Sequence, residues 1–268
     1  ETLKNRTIIR GKKVTGSVRD RLLWKEFDFT ITAGDKVAVI GPNGSGKTTF
    51  IRMILEEADG IHVSPSVSFG YFSQMLEVLD LRRSLLDNVR QTSSQDQTLI
   101  RIALARLGFF GDDVFKPVHV LSGGERVKVA LAKLFVSNVN VLILDEPTSY
   151  LDIESVEALE SLLVDYPGTV LFVSHDRRFL ENTATKVFAF QDNSIHSFEG
   201  SYLEYIKNHA EPAAEKKPLE EEMLKVEMEI TNVLSRLSFE PTEELDHTFQ
   251  KLLRQKHNMK RQLDKRDE

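Results

Sequence analysis

Short apolar runs and amphipathic stretches alternate along most of this chain, and the period changes only near its end. Lys36–Ile40, Val141–Leu144 and Thr169–Val173 are runs of four or five residues rich in Val, Ile and Leu, each bounded by turn residues. A strand covered on both faces reads this way. Phe27–Thr32, parted from Lys36 by the turn Ala33-Gly34-Asp35, and a run near Val67–Phe72 predict two further strands. Two short strands are expected around Val187–Phe190 and Ile195–Phe198. Helices are predicted from Lys47 through Met53 and Leu55, over Ile153–Asp165 and over Arg177–Ala184. Between Ser84 and about Gly108 the pattern is mostly helical, with Ile100, Ala103, Leu104 and Leu107 on one face, and reads as a helical insertion. Strands and helices in alternation predict an α/β fold with a mostly parallel sheet covered on both faces.

The polar stretch 211–218 (EPAAEKKP), bracketed by prolines, reads as a linker. Past it, Leu219, Met223, Val226, Ile230, Val233 and Leu237 step by four and three, as do Leu245, Phe249, Leu252, Lys256, Met259 and Leu263. With a turn near Ser238–Thr242, this predicts an antiparallel helical hairpin with a coiled-coil seam, in which Lys256 is the polar seam residue. Its second helix carries Lys251, Arg254, Lys256, Lys260, Arg261, Lys265 and Arg266 against the single acid Asp264. A solvated helix face and a phosphate-contacting surface both fit that run. The expected organisation is a body over 1–210 with its helical subdomain at about 80–138, the linker 211–218, and the hairpin over 219–268.

Composition narrows the class. With 268 residues and 41% apolar content the chain can bury a large core plus an appendage. No window approaches the roughly 18 apolar residues of a membrane-spanning helix, and no basic-then-apolar leader opens the chain. A cytoplasmic address without a membrane partner is expected. The absence of cysteine excludes disulfides and thiolate metal sites. A net charge of −6 leaves nucleic-acid partners open, because local basic faces matter more than the total. The first residue is Glu1 rather than Met, which reads as a piece of a longer protein.

The chemistry is concentrated between Gly41 and His175. GPNGSGKT, directly after a buried-type strand and before a helix, is an anion cradle: Gly41, Gly44 and Gly46 let backbone amides turn inward around phosphates. Lys47 would reach the β- and γ-phosphates of ATP, Thr48 would ligate Mg2+, and the helix N-terminus adds its positive end. Asn43, Ser45 and Thr49 complete the phosphate-binding set. The bare pattern recurs by chance in about one chain in a hundred of this size, so the strand–loop–helix context carries the reading. VLILDEP then delivers Asp145 and Glu146 to the carboxyl end of a strand, where ligands bind in open α/β sheets. Asp145 would hold Mg2+ through water and Glu146 would orient and activate the attacking water. Alone, such an Asp-Glu-Pro often does no more than end a strand.

His175 follows the strand Thr169–Val173 and should emerge beside Glu146, in reach of a γ-phosphate, although a lone His is more often structural. Gln74 also ends a strand and would sense Mg2+ and couple the insertion to the nucleotide, although in isolation it is an ordinary loop residue. LSGGE, Leu121–Glu125, suits a helix start, and Ser122 with the amides of Gly123 and Gly124 forms an anion site. If that helix lies in the insertion, remote from Lys47, it serves another domain's γ-phosphate.

Taken together, the loop Gly41–Thr48, Gln74, LSGGE, the strand through Glu146 and His175 resemble the ATP-binding cassette ATPases over most of Phe27–His209. The resemblance implies a P-loop cassette, a mixed sheet core plus a helical subdomain, that binds and hydrolyses MgATP against a second cassette. LSGGE itself, the short insertion, SHDRRFL over Ser174–Leu180 and FEGSYLEY over Phe198–Tyr205 are similar to the ABC-F group, ATPases that act on ribosomes. The charged hairpin resembles that group's C-terminal extensions. Implied partners are a second cassette, either the upstream half of the same protein or a homodimer mate, and the ribosome with its rRNA or tRNA. LSGGERVKVALAK leans towards the antibiotic-resistance branch. Where the family reads TNHLD this chain has Thr148-Ser149-Tyr150-Leu151-Asp152, so Leu151 and Asp152 alone carry over, Asp152 as a nucleotide-site residue. No aromatic stands between Arg10 and Leu23, where cassettes often place an adenine-stacking ring. The ATPase subunit of an ABC transporter is the alternative, and it leaves the basic hairpin unused.

Overall fold

A computed structural model describes residues 6–19, 21–72, 79–209 and, further along, 233, 248, 249, 251 and 252. The linker and all but those last residues of the hairpin fall outside the described residues, as does Gln74. The chain divides into two compact units, Glu1–Tyr205 and Ile206–Glu268, and the first holds everything described below except the end of the last helix.

In chain order the strands are β1 (Thr7–Val18), β2 (Arg21–Thr32), β3 (Lys36–Ile40), β4 (Ile61–Val63), β5 (Phe69–Phe72), β6 (Val141–Asp145), β7 (Thr169–Val173), β8 (Lys186–Gln191) and β9 (Ser194–Glu199). The helices are α1 (Lys47–Leu55), α2 (Leu85–Arg90), α3 (Gln97–Arg106), α4 (Gly123–Phe135), α5 (Ile153–Asp165), α6 (Arg177–Thr183) and α7 (Tyr202–His209). A six-stranded sheet in the order β5-β6-β7-β3-β8-β9 is parallel except for the β8–β9 hairpin. Successive side chains on a strand point to opposite faces, and both faces of this sheet are apolar. Ala38, Leu142, Leu144, Val170 and Phe172 join one core with α4, α5 and α6. Val37, Val39, Val141, Ile143, Leu171 and Val173 join the other with α1. The continuous apolar runs are thus the direct product of two-sided burial.

Besides α7, for which no helix was expected, and β2, which starts at Arg21 rather than Phe27, two features depart from the sequence expectation. A separate antiparallel sheet, β2-β1-β4, covers the α1 side, and neither β1 nor β4 was anticipated. The helical stretch 84–108 is two helices, because Thr92–Asp96 leaves the helix. There Ser93 Oγ donates to the Val136 carbonyl and accepts from the Gln95 amide at 3.1 Å, and Asp96 caps α3 by accepting from the Leu99 amide. Hydroxyls that bond nearby backbone groups compete with helix continuation.

An aromatic cluster fixes the second sheet to the first. Trp24 packs edge-on against Phe50 of α1 and Phe190 of β8, with centroids 5.9 and 5.5 Å apart. Phe27, Phe29 and Phe188 extend it, and the Trp24 indole donates to the Val14 carbonyl at 3.2 Å. Phe50 follows Thr49 directly, so the packing that joins the sheets also holds the helix that begins the phosphate loop's far side.

Candidate nucleotide site

The loop between β3 and α1 is held in a conformation that side chains resist. Gly41, Gly44 and Gly46 have φ of 145°, 77° and 105°. A Cβ on Gly46 would stand 2.8 Å from the Trp24 ring, and one on Gly41 would stand 2.7 Å from Phe190. Close packing from below therefore adds to the demand for glycine that phosphate approach makes from above. Gly46 caps α1 in the left-handed region with no side-chain acceptor, which leaves the amides of the first turn free for an anion. Lys47 is buried and its Nζ donates to the loop's own carbonyls, Gly41 at 2.8 Å and Pro42 at 2.9 Å. Burial pulls the Lys47 pKa down, while the charges of Glu146 and Asp145 push it back up. A cation held by neutral carbonyls is ready to exchange them for phosphate oxygens.

Opposite the loop, β6 and β7 run parallel with Asp145 in register with Val173. The Glu146 amide donates to the Val173 carbonyl at 3.0 Å, which carries the pairing one residue past β6. That pairing sets Glu146 beside His175: Oε1 and Nε2 are 3.2 Å apart, with the carboxylate mostly buried. Glu146 also has φ of 52°, a left-handed backbone that a non-glycine residue adopts at a cost, and such strain collects at functional sites. Thr48 Oγ donates to Asp145 Oδ2 at 3.4 Å. Burial raises the Asp145 pKa, and the Thr48 bond and the Lys47 charge work against the rise. A hydroxyl and a desolvated carboxylate brought together offer hard oxygen donors of the kind Mg2+ takes when phosphates and water complete its shell.

These residues share one cleft of about 550 Å3. It is lined by Asn43, Gly44, Gly46, Lys47, Thr48, Thr49, Asp145, Glu146, Val173 and His175, with Val18, Arg21 and Leu23 at its other wall. Those last three were missed in the sequence. Ser122, Gly123, Gly124 and Asp152 do not line it. Ser122 caps α4 with a reciprocal pair: its Oγ accepts from the Glu125 amide, and its amide donates to Glu125 Oε2 at 2.8 Å. Ser122 and Gly123 are exposed, and a Cβ on Gly124 would stand 2.9 Å from the Tyr150 carbonyl, so the chain before α5 runs close over this turn. Asp152 caps α5 through the Ser155 amide at 2.8 Å, and bonds from Ser155 hold its pKa down.

Comparison with known proteins agrees with the geometry. The family model described as ABC transporter matches residues 24–149. A solved ABC transporter of the metal-chelate type, in an inward-facing conformation, is similar with a TM-score of 0.60 and 24% identity, over 72% of this chain and 84% of that one. That likeness speaks for the fold. The chain is an ATP-binding cassette. Ribosome protection protein VmlR of Bacillus subtilis (strain 168) is 38% identical over 96% of this chain and 46% of its own length. ABC transporter F family member 5 of Arabidopsis thaliana is 34% identical over 81% of this chain and 32% of its own. Within the cassette proteins, the chain belongs to the ABC-F family. It spans less than half the length of these curated relatives. Among the described residues no helix is long and apolar enough to cross a membrane.

Proposed function

We propose that this chain binds and hydrolyses MgATP at a site completed by a second cassette, and that nucleotide-driven closure acts on a ribosome, in translation or in antibiotic resistance by ribosomal protection. The observation that carries the hydrolytic reading is the Glu146–His175 pair, 3.2 Å apart at the edge of a cleft that also holds Lys47. Lys47 gives up the carbonyls of Gly41 and Pro42 for the β- and γ-phosphates. Thr48 and Asp145 would hold Mg2+, Asp145 through water, and Gln74 would sense it. When bound, the ion neutralises phosphate charge as the bond breaks. Glu146 orients the attacking water and accepts its proton, and His175 steadies the γ-phosphate and the water.

The signature turn supports the composite site. Ser122 and Gly123 face solvent outside the cleft, and Val120 just before them and Tyr150 and Ile153 on either side of Leu151-Asp152 are 58%, 59% and 74% exposed. A second cassette laid over this face would bring its γ-phosphate to the α4 N-terminus and to the region of Asp152. Support for the ribosome comes from VmlR, which the match follows through 96% of this chain.

Glu146→Gln is the test. The variant is expected to keep ATP bound, to release phosphate at least about a hundredfold more slowly, and to pellet with ribosomes rather than membranes from a cell lysate. Wild-type specific activity is expected to fall on dilution, because two chains must meet. Unchanged turnover in the variant removes Glu146 as base, constant specific activity removes the composite site, and pelleting with membranes favours the transporter reading.

A further inference from the structure

Glu146 and His175 stand on two segments that part company where they are needed together. The bond from the Glu146 amide to the Val173 carbonyl is the last backbone link between them among the described residues. Beyond it one segment turns through Thr148 towards α5, and the other passes through His175 into α6. The His175 side chain is 55% exposed, so packing does not fix it, and its place beside Glu146 depends on the backbone that carries it.

A pair of hydroxyls spans the gap. Thr148 Oγ1 and Ser174 Oγ are 3.3 Å apart, within reach of a hydrogen bond that either can donate. Ser174 is 3% exposed, and its Oγ also accepts from the Asp176 amide at 3.1 Å, which closes a turn around His175. Asp176 in turn caps α6 by accepting from the Phe179 amide at 3.1 Å. The backbone on both sides of His175 is thus fixed through the Ser174 hydroxyl. Thr148 ties that hydroxyl to the turn after Glu146, where the Ser149 amide donates to the Glu146 carbonyl at 3.3 Å. Neither Thr148 nor Ser174 lines the cleft, so any effect of theirs on the nucleotide passes through the residues that do.

We propose that Thr148 and Ser174 are positioning residues for hydrolysis, their hydroxyl pair keeping His175 against Glu146 while ATP is split. The inference rests on the hydrolytic reading above and adds two residues that act through His175. Steady-state ATPase of the full chain, measured at several chain concentrations, tests it. Thr148→Val keeps the side chain's shape and loses its hydroxyl. It is expected to lower kcat about tenfold and to leave KM within about twofold, because a small misplacement at the chemistry costs rate rather than binding. Thr148→Ser restores the hydroxyl and is expected to hold kcat within about twofold of wild type. Ser174→Ala is expected to lose at least as much as Thr148→Val, and the double variant no more than Ser174→Ala, since both changes break the same bond. Additive losses, a Thr148→Ser variant as slow as Thr148→Val, or a KM shifted as far as kcat overturns the inference. So does a loss that disappears at high chain concentration, which would place Thr148 in the pairing of cassettes instead. The hydrolytic reading itself falls only if Glu146→Gln keeps its turnover.

Discussion

Gly46 shows most clearly how one residue serves packing and chemistry at once. Its φ of 105° costs a side chain about 1–2 kcal/mol, and a methyl there meets the Trp24 ring at 2.8 Å and Leu23 Cδ1 at 3.0 Å. At Gly44, with φ of 77°, nothing lies within 4 Å of an added Cβ, so the backbone term stands alone. Gly46→Ala is therefore expected to lower unfolding stability by about 2–3 kcal/mol and to abolish ADP binding, and Gly44→Ala to cost about 1 kcal/mol. Urea unfolding followed by the fluorescence of Trp24, the single tryptophan, measures both. Equal losses in the two variants would show that the Trp24 contact carries no weight. Lys47, Thr48, Asp145, Glu146 and His175, read from separate motifs, share one cleft. Only half of the reason for glycine was visible: the phosphate side follows from the motif, while the approach of Trp24 and Phe190 from beneath needs the fold. Val18, Arg21 and Leu23 were illegible as site residues because they reach the cleft from the β1–β2 hairpin, and no motif marks them.

At the scale of elements, the helices that start with a side-chain cap separate structural from functional roles. Asp96 caps α3 and Ser122 caps α4, each accepting from the amide three residues on. Losing either cap costs about 1 kcal/mol. Asp96→Ala and Ser122→Ala are therefore expected to destabilise alike, whereas Ser122→Ala alone is expected to cut ATPase activity, by about tenfold or more. A parallel loss in Asp96→Ala would reduce Ser122 to a cap. Elements buried on both faces were plain in the sequence, and β3, β7 and α5 have the anticipated bounds. The strand β1 was hidden for a physical reason. Its inward positions include Gly11 and Gly16, and Phe29 and Trp24 of β2 lie across them so closely that a Cβ would stand 2.0 and 2.2 Å from the rings. A register shift between Gly11 and Val14, where Lys13 has φ of 51°, breaks the alternation further. An apolar face supplied by the neighbouring strand leaves no period in the strand that receives it. The short β4, Ile61–Val63, has too few residues to show one.

On the scale of the whole molecule, the sheet keeps its chemistry at one end and a buried cation at the other. Lys36 opens β3, five residues before the phosphate loop, and is 8% exposed. Its Nζ donates to the carbonyls of Tyr166 and Gly168, both at 2.7 Å, and stands 5.1 Å over the Tyr166 ring. Among the described residues it has no carboxylate partner, and burial lowers its pKa from 10.5 to about 8. The unfolded chain therefore holds a proton between pH 8 and 10.5 that the folded chain has released, and stability contributed by this group rises with pH across that window. Below pH 8 both states are protonated, and the folded state bears the full cost of a buried charge. At about 1.4 kcal/mol per pKa unit the rise is on the order of 1–3 kcal/mol, the lower figure applying where the carbonyls and ring keep the ammonium solvated. Two neighbours act in the opposite sense. Burial pushes Tyr166 to about 12 from 10, so it withdraws stability as pH climbs from 10. Burial works against the charge on Lys186, but Asp35 and Glu199 outweigh it and raise its pKa, so its contribution is lost only above 10.5. Wild-type protein should thus gain stability from pH 8 towards 10 relative to Lys36→Met, whose dependence over this range should be flatter. Urea midpoints for the two proteins at half-unit intervals from pH 7.5 to 10 measure the difference. Identical slopes would mean that the two carbonyls and the Tyr166 ring hold the Lys36 proton as firmly as water does.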